Sequence, residues 1–311
     1  MYLQKSLKSL FILLIPCFSL LCVSCQSGPE APEGACTVTF SISNYRQISF
    51  DDLSSSGMSR AVPTDHPATL AHLLVAVFGV ETGVQALTPI QRNYEDYELD
   101  PEAYRQFSMT LPYGRYRVLV LGYNGSKACN ITSLNHITWA DDYVPNTFLY
   151  CEELTLDEGS TLNKEITLKH VVAALRVTAE DAIPAEMKKM RFVSTAGGTV
   201  LDAMTGFAPQ STGRTSEIVV PASYIGTVGL DFTAYLFLPQ EQTTGCYTVQ
   251  ALGANDAVLY EKHFNDVPLR INYLTQWQGN FFDVSSEDVP AVQNGFNVKW
   301  DTEWAGTLTV N

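Results

Sequence analysis

The chain has 311 residues, which is enough for two domains of ordinary size. Hydrophobic residues make up 46% of it and charged residues 17%, against about 25% charged in an average globular chain, so disorder over most of the length is excluded. A net charge of −14 with no basic stripe excludes a nucleic-acid partner.

The first 25 residues have the pattern of an export signal. Lys5 and Lys8 precede an apolar run over residues 10–23, whose 14 residues fall short of the roughly 20 that a membrane-spanning helix needs. The run ends in LCVSC, which resembles a bacterial lipobox, although Cys22 stands where a Leu is usual. We predict a lipoprotein signal peptide over residues 1–24 and lipidation of Cys25. The alternative is an ordinary signal peptide.

Four cysteines remain after the signal: Cys36, Cys129, Cys151 and Cys246. An exported compartment permits disulfides, yet the spacing neither requires nor forbids a bridge between Cys129 and Cys151, so the pairing of the last three stays open. The mature chain contains no CxxC pair, and zinc or thioredoxin-type chemistry therefore has no support.

Residues 35–43 alternate strictly between apolar and polar side chains. Cys36, Val38, Phe40 and Ile42 lie on one face, with Thr and Ser on the other, and this pattern predicts a half-buried strand. Residues 45–66 are increasingly polar, with SSSG near their centre, and are predicted to be a long exposed loop.

Short strand patterns follow along the rest of the chain. The candidates are residues 70–80, 111–124, 147–154, 161–169, 171–177, 216–220, 230–238, 247–252, 257–264, 274–283, 296–300 and 307–310. Pro184 at a first-turn position predicts a short helix over residues 185–190, and residues 130–139 are a second helix candidate. Many short strands separated by turns predict an all-β protein of antiparallel sandwiches. We place the boundary between two domains near residue 168.

No arrangement of residues supports catalysis, and we predict that the chain is not an enzyme and holds no cofactor or metal. The sequence has no GxSxG, HExxH, GxxxxGK[ST] or GxGxxG motif, and its five histidines are scattered. Residues 95–100 are acidic but lack the DxDxDG spacing of a calcium loop, so a solvated acidic loop is expected there. Aromatic residues at 139–143 suggest a sugar-stacking platform as an alternative role.

Several segments together resemble the fimbrillin-type (type V) pilus subunits of Gram-negative anaerobes. They are the lipobox, LPYGRYRVLVLGYN at 111–124, ITLKHVVAALRVTAEDAIP at 166–184, VPLRINYLTQWQGNFF at 267–282 and NVKWDTEWAGTLTV at 297–310. His170 is a departure, because many members carry Arg there. The resemblance implies two tandem transthyretin-like β-sandwich domains, here residues 25–168 and 169–311, and a route from outer-membrane lipoprotein to cell-surface fimbrium.

The resemblance also implies how such a subunit assembles. An Arg-specific surface protease cuts a loop after the first strand, and Arg60, followed by Ala61, is the matching position here. The strand carrying Cys36, Val38, Phe40 and Ile42 would then leave a groove for a strand of another subunit. Trp304, Leu308 and Val310 form the candidate donor strand. The expected partners are other pilus subunits, the protease and, before processing, the outer membrane; the alternative function is a tip adhesin or carbohydrate-binding lipoprotein on the same scaffold.

Overall fold

The computed structural model describes residues 34–44, 70–159 and 161–283, and the backbone of residues 288–290 and 297–299. Strands dominate this part of the chain, and they form antiparallel and mixed sheets that pack face to face, as the sequence predicted for an all-β sandwich protein. The predictions for Cys25, Arg60, Ala61, Trp304, Leu308 and Val310, and for the loop at 45–66, lie outside the described residues.

The first sandwich pairs a three-stranded sheet with a five-stranded sheet. The three-stranded sheet has the order β4-β1-β9, formed by β1 (Ala35–Asn44), β4 (Gln106–Pro112) and β9 (Thr161–Thr167). The other has the order β10-β8-β5-β2-β3, formed by β2 (His72–Gly79), β3 (Ile90–Asn93), β5 (Gly114–Asn124), β8 (Asn146–Leu156) and β10 (Lys169–His170). A core of buried side chains from residues 36–168 fills the space between them.

The second sandwich is built from a four-stranded and a five-stranded sheet. The order β14-β11-β17-β19 contains β11 (Ala173–Ala179), β14 (Leu230–Leu236), β17 (Leu274–Gly279) and β19 (Asn297–Lys299). The order β13-β12-β15-β16-β18 contains β12 (Lys189–Ser194), β13 (Arg214–Val219), β15 (Gln242–Leu252), β16 (Val258–Arg270) and β18 (Asp288–Pro290). Its core comes from residues 173–282.

Short elements complete the described structure. They are a hairpin of β6 (Cys129–Ser133) and β7 (His136–Trp139), the helices α1 (Tyr94–Leu99) and α2 (Pro101–Arg105), and the 3-10 turns Ala140–Asp142, Ala222–Tyr224 and Ala254–Asp256.

A third apolar core joins the two sandwiches. It combines side chains of β2 and β5 with side chains of the second sandwich, for example Leu121 with Leu201 and Phe237, all completely buried. His170 lies at the same junction, stacked on Phe148 with the ring centroids 4.4 Å apart. The division of the chain near residue 168 stays a prediction.

The predicted helix at 185–190 is wrong. Met187 N donates to Pro184 O at 3.1 Å, which closes a single turn, and strand β12 then begins at Lys189. Met187 and Met190 are both completely buried. A strand paired on both sides, with β13 and β15, satisfies more of the buried backbone than a short helix would.

Two further expectations about local structure are also wrong. Residues 130–139 form the β6–β7 hairpin, in which β-branched Ile131 and Ile137 face each other. The acidic segment at 95–100 is helical up to Leu99, because Asp96 Oδ2 accepts from Asn93 N at 2.7 Å in a capping box at the start of α1. Asp100 then caps α2 by accepting from Glu102 N and Ala103 N at 3.1 and 2.9 Å. Pro101 occupies the first turn of α2, where its missing N–H costs nothing.

Candidate assembly site around the first strand

Strand β1 is the central strand of its sheet and the sole strand neighbour, among the described residues, that β4 and β9 have in that sheet. It runs antiparallel to β4, from Ala35 opposite Pro112 to Ser41 opposite Gln106. It runs parallel to β9, starting with Thr37 opposite Thr161. Removing β1 would therefore leave two strands with unpaired backbone groups on either side of a gap one strand wide.

The inward face of β1 is fully inserted into the first core. Cys36, Val38, Phe40 and Ile42 are 1, 0, 1 and 3% exposed. Phe40 lies directly opposite Phe107 in the β1–β4 register. Burial of four such side chains is worth about 6–12 kcal/mol at about 1.5–3 kcal/mol each, before ordering costs.

The outward face of β1 is only partly covered and makes few side-chain bonds. Thr39 Oγ1 lies 3.0 Å from Ser108 Oγ, and Ser43 Oγ donates to Ile166 O at 3.3 Å. On the inner face the Cys36 thiol donates to Asp157 O at 3.1 Å. The strand is therefore held by its backbone ladders and four inward side chains rather than by charged contacts.

After β1 the described structure resumes at Leu70, where the backbone is hydrogen-bonded to the first sandwich. Tyr104 Oη donates to Leu70 O at 2.5 Å, and Ala71 N donates to Asn124 Oδ1 at 2.7 Å. Residues 45–69, which include Arg60, connect β1 to this point. A break in that segment would thus leave the body anchored from Leu70 onwards and β1 attached to it by non-covalent contacts.

Paired charges link β9 to the five-stranded sheet and lie along one end of that sheet. Lys164 on β9 lies 2.8 Å from Glu152 Oε2, and this hydrogen bond lowers the pKa of the Glu152 carboxyl. Arg115 bonds Glu153 and Glu81, and the Arg115 hydrogen bond lowers the pKa of Glu153. Because these charges are exposed and mutually neutralised, they add little to the hold on β1.

The described residues were compared with the patterns of metal sites and membrane-spanning helices. They contain no cluster of His, Cys, Asp or Glu that could hold a metal ion, and no helix among them is long and apolar enough to cross a membrane. Burial raises the pKa of the Cys129 thiol to about 12 and that of Cys151 to about 11. Among the described cysteines no disulfide forms, so no bridge joins Cys129 to Cys151.

The suggested sugar-stacking platform does not exist as predicted. Trp139 is only 3% exposed, because its ring packs against Tyr123 and Phe237, each with a centroid separation of 5.6 Å. A buried indole cannot present its face to a ligand. Asp141 and Asp142 form a turn beside it, with φ of 59° and 52°.

The sequence reading missed β4, one of the two strands that hold β1. Phe107, Met109 and Leu111 are buried and alternate with polar residues, which is the same signal that revealed β1. The predicted strand at 296–300 overlaps β19, which pairs antiparallel with β17 of its own chain, Lys299 opposite Leu274.

The sequence matches a family profile over residues 33–310, nearly the whole chain. The chain belongs to this family. It is described as a family of unknown function, DUF6562. The sequence has no significant match among curated proteins.

Several solved structures of surface proteins are similar to the chain. The tip fimbrial protein Mfa3 from Porphyromonas gingivalis, with a C-terminal truncation, is 10% identical, with 82% of this chain and 97% of that chain covered and a TM-score of 0.37. A fimbrial assembly protein from Parabacteroides distasonis is 10% identical, with 79% and 90% covered and a TM-score of 0.38. A candidate adhesin from Bacteroides ovatus is 13% identical, with 75% and 83% covered and a TM-score of 0.44.

Proposed function

We propose that the protein is a structural subunit of a cell-surface pilus, exported as a lipoprotein and polymerised by strand exchange. One observation supports this above all: β1 is the sole sheet partner of β4 and β9 in the described structure, and it is joined to the body through residues 45–69. A strand in this position can be exchanged without breaking any other pairing in the sheet.

The proposed sequence of events begins at the membrane. Lipidation of Cys25 anchors the precursor in the outer membrane, and an Arg-specific protease then cuts between Arg60 and Ala61. The fragment that carries Cys25 and β1 leaves with the lipid. A strand of another subunit, for which the segment with Trp304, Leu308 and Val310 is the candidate, fills the empty position.

Apolar insertion and strand pairing supply the stability of such a polymer. Residues 61–311 keep the full net charge of −14, because residues 1–60 hold four basic and four acidic side chains. Like-charged subunits repel one another, so attraction between them must come from the strand in the groove.

The processing step is tested with an Arg-specific protease on the folded precursor. Cleavage first after Arg60, giving a product that starts at Ala61, is expected, because that bond lies 16 residues beyond Asn44 and ten before Leu70. Arg60→Lys keeps the charge and should abolish the cut, whereas the matched variant Arg46→Lys should not change it. First cleavage after Arg46 or within the body would contradict the proposal.

Export and polymerisation have separate tests. Cys25→Ala should abolish acyl labelling and leave unprocessed precursor; unchanged labelling would contradict lipidation at this residue.

Deletion of residues 304–311 should leave the uncut precursor folded but prevent ladders of cut subunits on unboiled gels. The double variant Leu308→Asp, Val310→Asp should act similarly, since two carboxylates would lose their hydration in the groove. Normal ladders would show that the donor strand lies elsewhere.

A further inference from the structure

A cleft opens between the two sandwiches, on the face of β8 that points away from the first core. It encloses about 290 Å³, close to the lower end of the range for small-molecule sites, about 300 Å³. The buried Leu149 and Val171 and the half-buried Ile271 line it. Such an aliphatic lining suits an alkyl chain better than a sugar, whose hydroxyls would lose their hydration there.

One wall of the cleft is the turn that begins at Asp202, and hydrogen bonds fix its shape. Gly206 N donates to Asp202 O and Met204 N donates to Asp202 Oδ1, both at 2.8 Å. Ala203 N donates to Leu134 O at 2.7 Å, which ties this turn to the β6–β7 hairpin. The wall is therefore preformed, and the Met204 side chain, 47% exposed, adds a flexible apolar group to the lining.

The cleft carries one uncompensated positive charge. Its two carboxylates are both paired: Lys164 Nζ lies 2.8 Å from Glu152 Oε2, and Arg270 Nη2 lies 2.8 Å from Glu241 Oε1. Lys169 also lines the cleft, is exposed, and makes no ion pair with any residue that the structure describes. The local charge is therefore positive, although the whole chain carries −14.

The other titratable side chains that line the cleft are neutral. Burial raises the pKa of the Tyr150 phenol and, to about 11, that of the Cys151 thiol. His170 is kept neutral by burial, and asparagine side chains lie within hydrogen-bond distance of both its ring nitrogens. Lys169 lies opposite Leu149 in the β10–β8 register, so the two side chains share one face of the sheet. The ammonium and the aliphatic lining can therefore contact the same ligand.

We propose that this cleft binds a small amphipathic carboxylic acid, with the carboxylate at Lys169 Nζ and an alkyl chain against Leu149 and Val171. With about 30 Å³ for each non-hydrogen atom, the space holds about ten of them, which corresponds to a chain of about eight carbons. A single ammonium matches a monoanion, whereas a phosphate group is usually bound by several donors. The site exists in the uncut chain and does not depend on strand exchange.

Calorimetric titration of the full, uncut chain with octanoate tests the ion pair. Lys169→Gln should weaken octanoate binding about fivefold, because one exposed ion pair is lost. Lys188→Gln is the matched control, since Lys188 is also exposed but does not line the cleft, and it should leave the affinity unchanged. An unchanged chain that does not bind octanoate overturns the proposal. Weakening by both lysine variants alike, or by neither, overturns it as well.

Two related ligands test the alkyl part of the site. Octanol lacks the carboxylate and should bind the unchanged chain and Lys169→Gln equally. Butanoate has four fewer methylenes and should bind about a hundredfold more weakly than octanoate, because each buried methylene contributes about fourfold in affinity. Equal affinity for butanoate and octanoate would mean that no apolar cleft takes part, and would overturn the proposal.

Alkylation of two cysteines in the same chain locates the ligand. Iodoacetamide at about pH 9 labels Cys151, which lines the cleft, and Cys246, which is exposed outside it. Octanoate at ten times its Kd should slow labelling of Cys151 about tenfold and leave Cys246 unchanged, as mass spectrometry measures. Binding without protection of Cys151 would place the ligand elsewhere and overturn the proposal. Strand exchange survives every negative result, since none of these experiments involves the cut.

Discussion

Strands β1 and β11 hold the same topological position in the two sandwiches but differ in how they are held. Each is a central strand with an antiparallel neighbour on one side, β4 or β14, and a parallel neighbour on the other, β9 or β17. All seven residues of β11 are buried, whereas β1 buries every second residue. The two strands therefore share their pairing and differ in their second face.

The second face of β11 is fixed by a buried polar network and by the junction core. Arg176 Nη1 lies 3.5 Å from Asp231 Oδ2, and Thr178 Oγ1 donates to the other carboxylate oxygen at 2.6 Å. Gln276 Nε2 donates to Thr178 Oγ1 at 2.8 Å, and Ala174 is buried between the sandwiches.

In the described part of the chain, the outer face of β1 has threonine and serine hydroxyls where β11 has its buried polar network. Backbone pairing with neighbouring strands therefore does not distinguish β1 from β11. Strand β11 is covered on both faces, whereas β1 is covered on one, and this difference fits the proposed exchange of β1.

The largest expected effect is that of omitting β1. A chain that starts at Ala61 loses about 6–12 kcal/mol of apolar burial, which is comparable with the whole stability of a typical domain of about 5–15 kcal/mol. We expect an unfolded or aggregated first sandwich, seen in calorimetry as loss of the cooperative unfolding transition that this sandwich contributes. Addition of a peptide of residues 35–44 should restore that transition. An unassisted chain as stable as the precursor would contradict the dependence of β4 and β9 on β1.

Single substitutions on the two faces of β1 should differ strongly. Phe40→Ala in the uncut precursor should cost about 3–5 kcal/mol, because it opens a cavity opposite Phe107. Thr39→Ala, on the neighbouring outer position, should cost about 1 kcal/mol or less. Urea unfolding measures both. Similar costs for the two variants would show that the outer face is held as firmly as the inner one.

On β11 the second face should matter as much as the first. Asp231→Ala should cost about 3 kcal/mol, since it leaves Arg176, which has 6% side-chain exposure, without its carboxylate partner. Asp231→Asn retains an acceptor for Thr178 and should cost less. Urea unfolding of the uncut chain provides the measurement. A loss below about 1 kcal/mol for Asp231→Ala would remove the contrast with β1.

The smallest effect concerns the junction and depends on pH. Burial lowers the pKa of His170 from 6.5 to about 3, so the imidazole stays neutral in the folded chain. It is hydrogen-bonded to Asn146 on one side and Asn272 on the other. The unfolded chain takes up the proton first, and stability is therefore lost as the pH falls from about 6.5 towards 3. Between pH 7.5 and 5 this amounts to about 2 kcal/mol.

His170→Gln should remove that part of the pH dependence while it keeps a polar side chain at the junction. Comparing both chains above pH 5 avoids the range in which the paired carboxylates titrate. An identical slope for the two chains would mean that His170 is not held neutral.

The alternation of residues 36–42 was enough to predict a strand and the side chains that it buries, and β2 was equally clear from its apolar run. Helix and turn were harder to distinguish. Pro184 opens a single turn rather than a helix, because buried Met187 and Met190 place the following residues in a sheet. The Asp100–Pro101 cap signal of α2 was present in the sequence but hidden among acidic residues that suggested a loop.

The sequence by itself determined which face of each strand is apolar, because side chains alternate with a period of two whatever the partner is. Only the tertiary structure decided that β1 lies between β4 and β9, since Thr37 meets Thr161 across 124 positions of the chain and local pattern does not encode such pairing. It also decided that β11 is covered on both faces. The different surroundings of β1 and β11 therefore come from the packing of the whole molecule and not from the local sequence pattern.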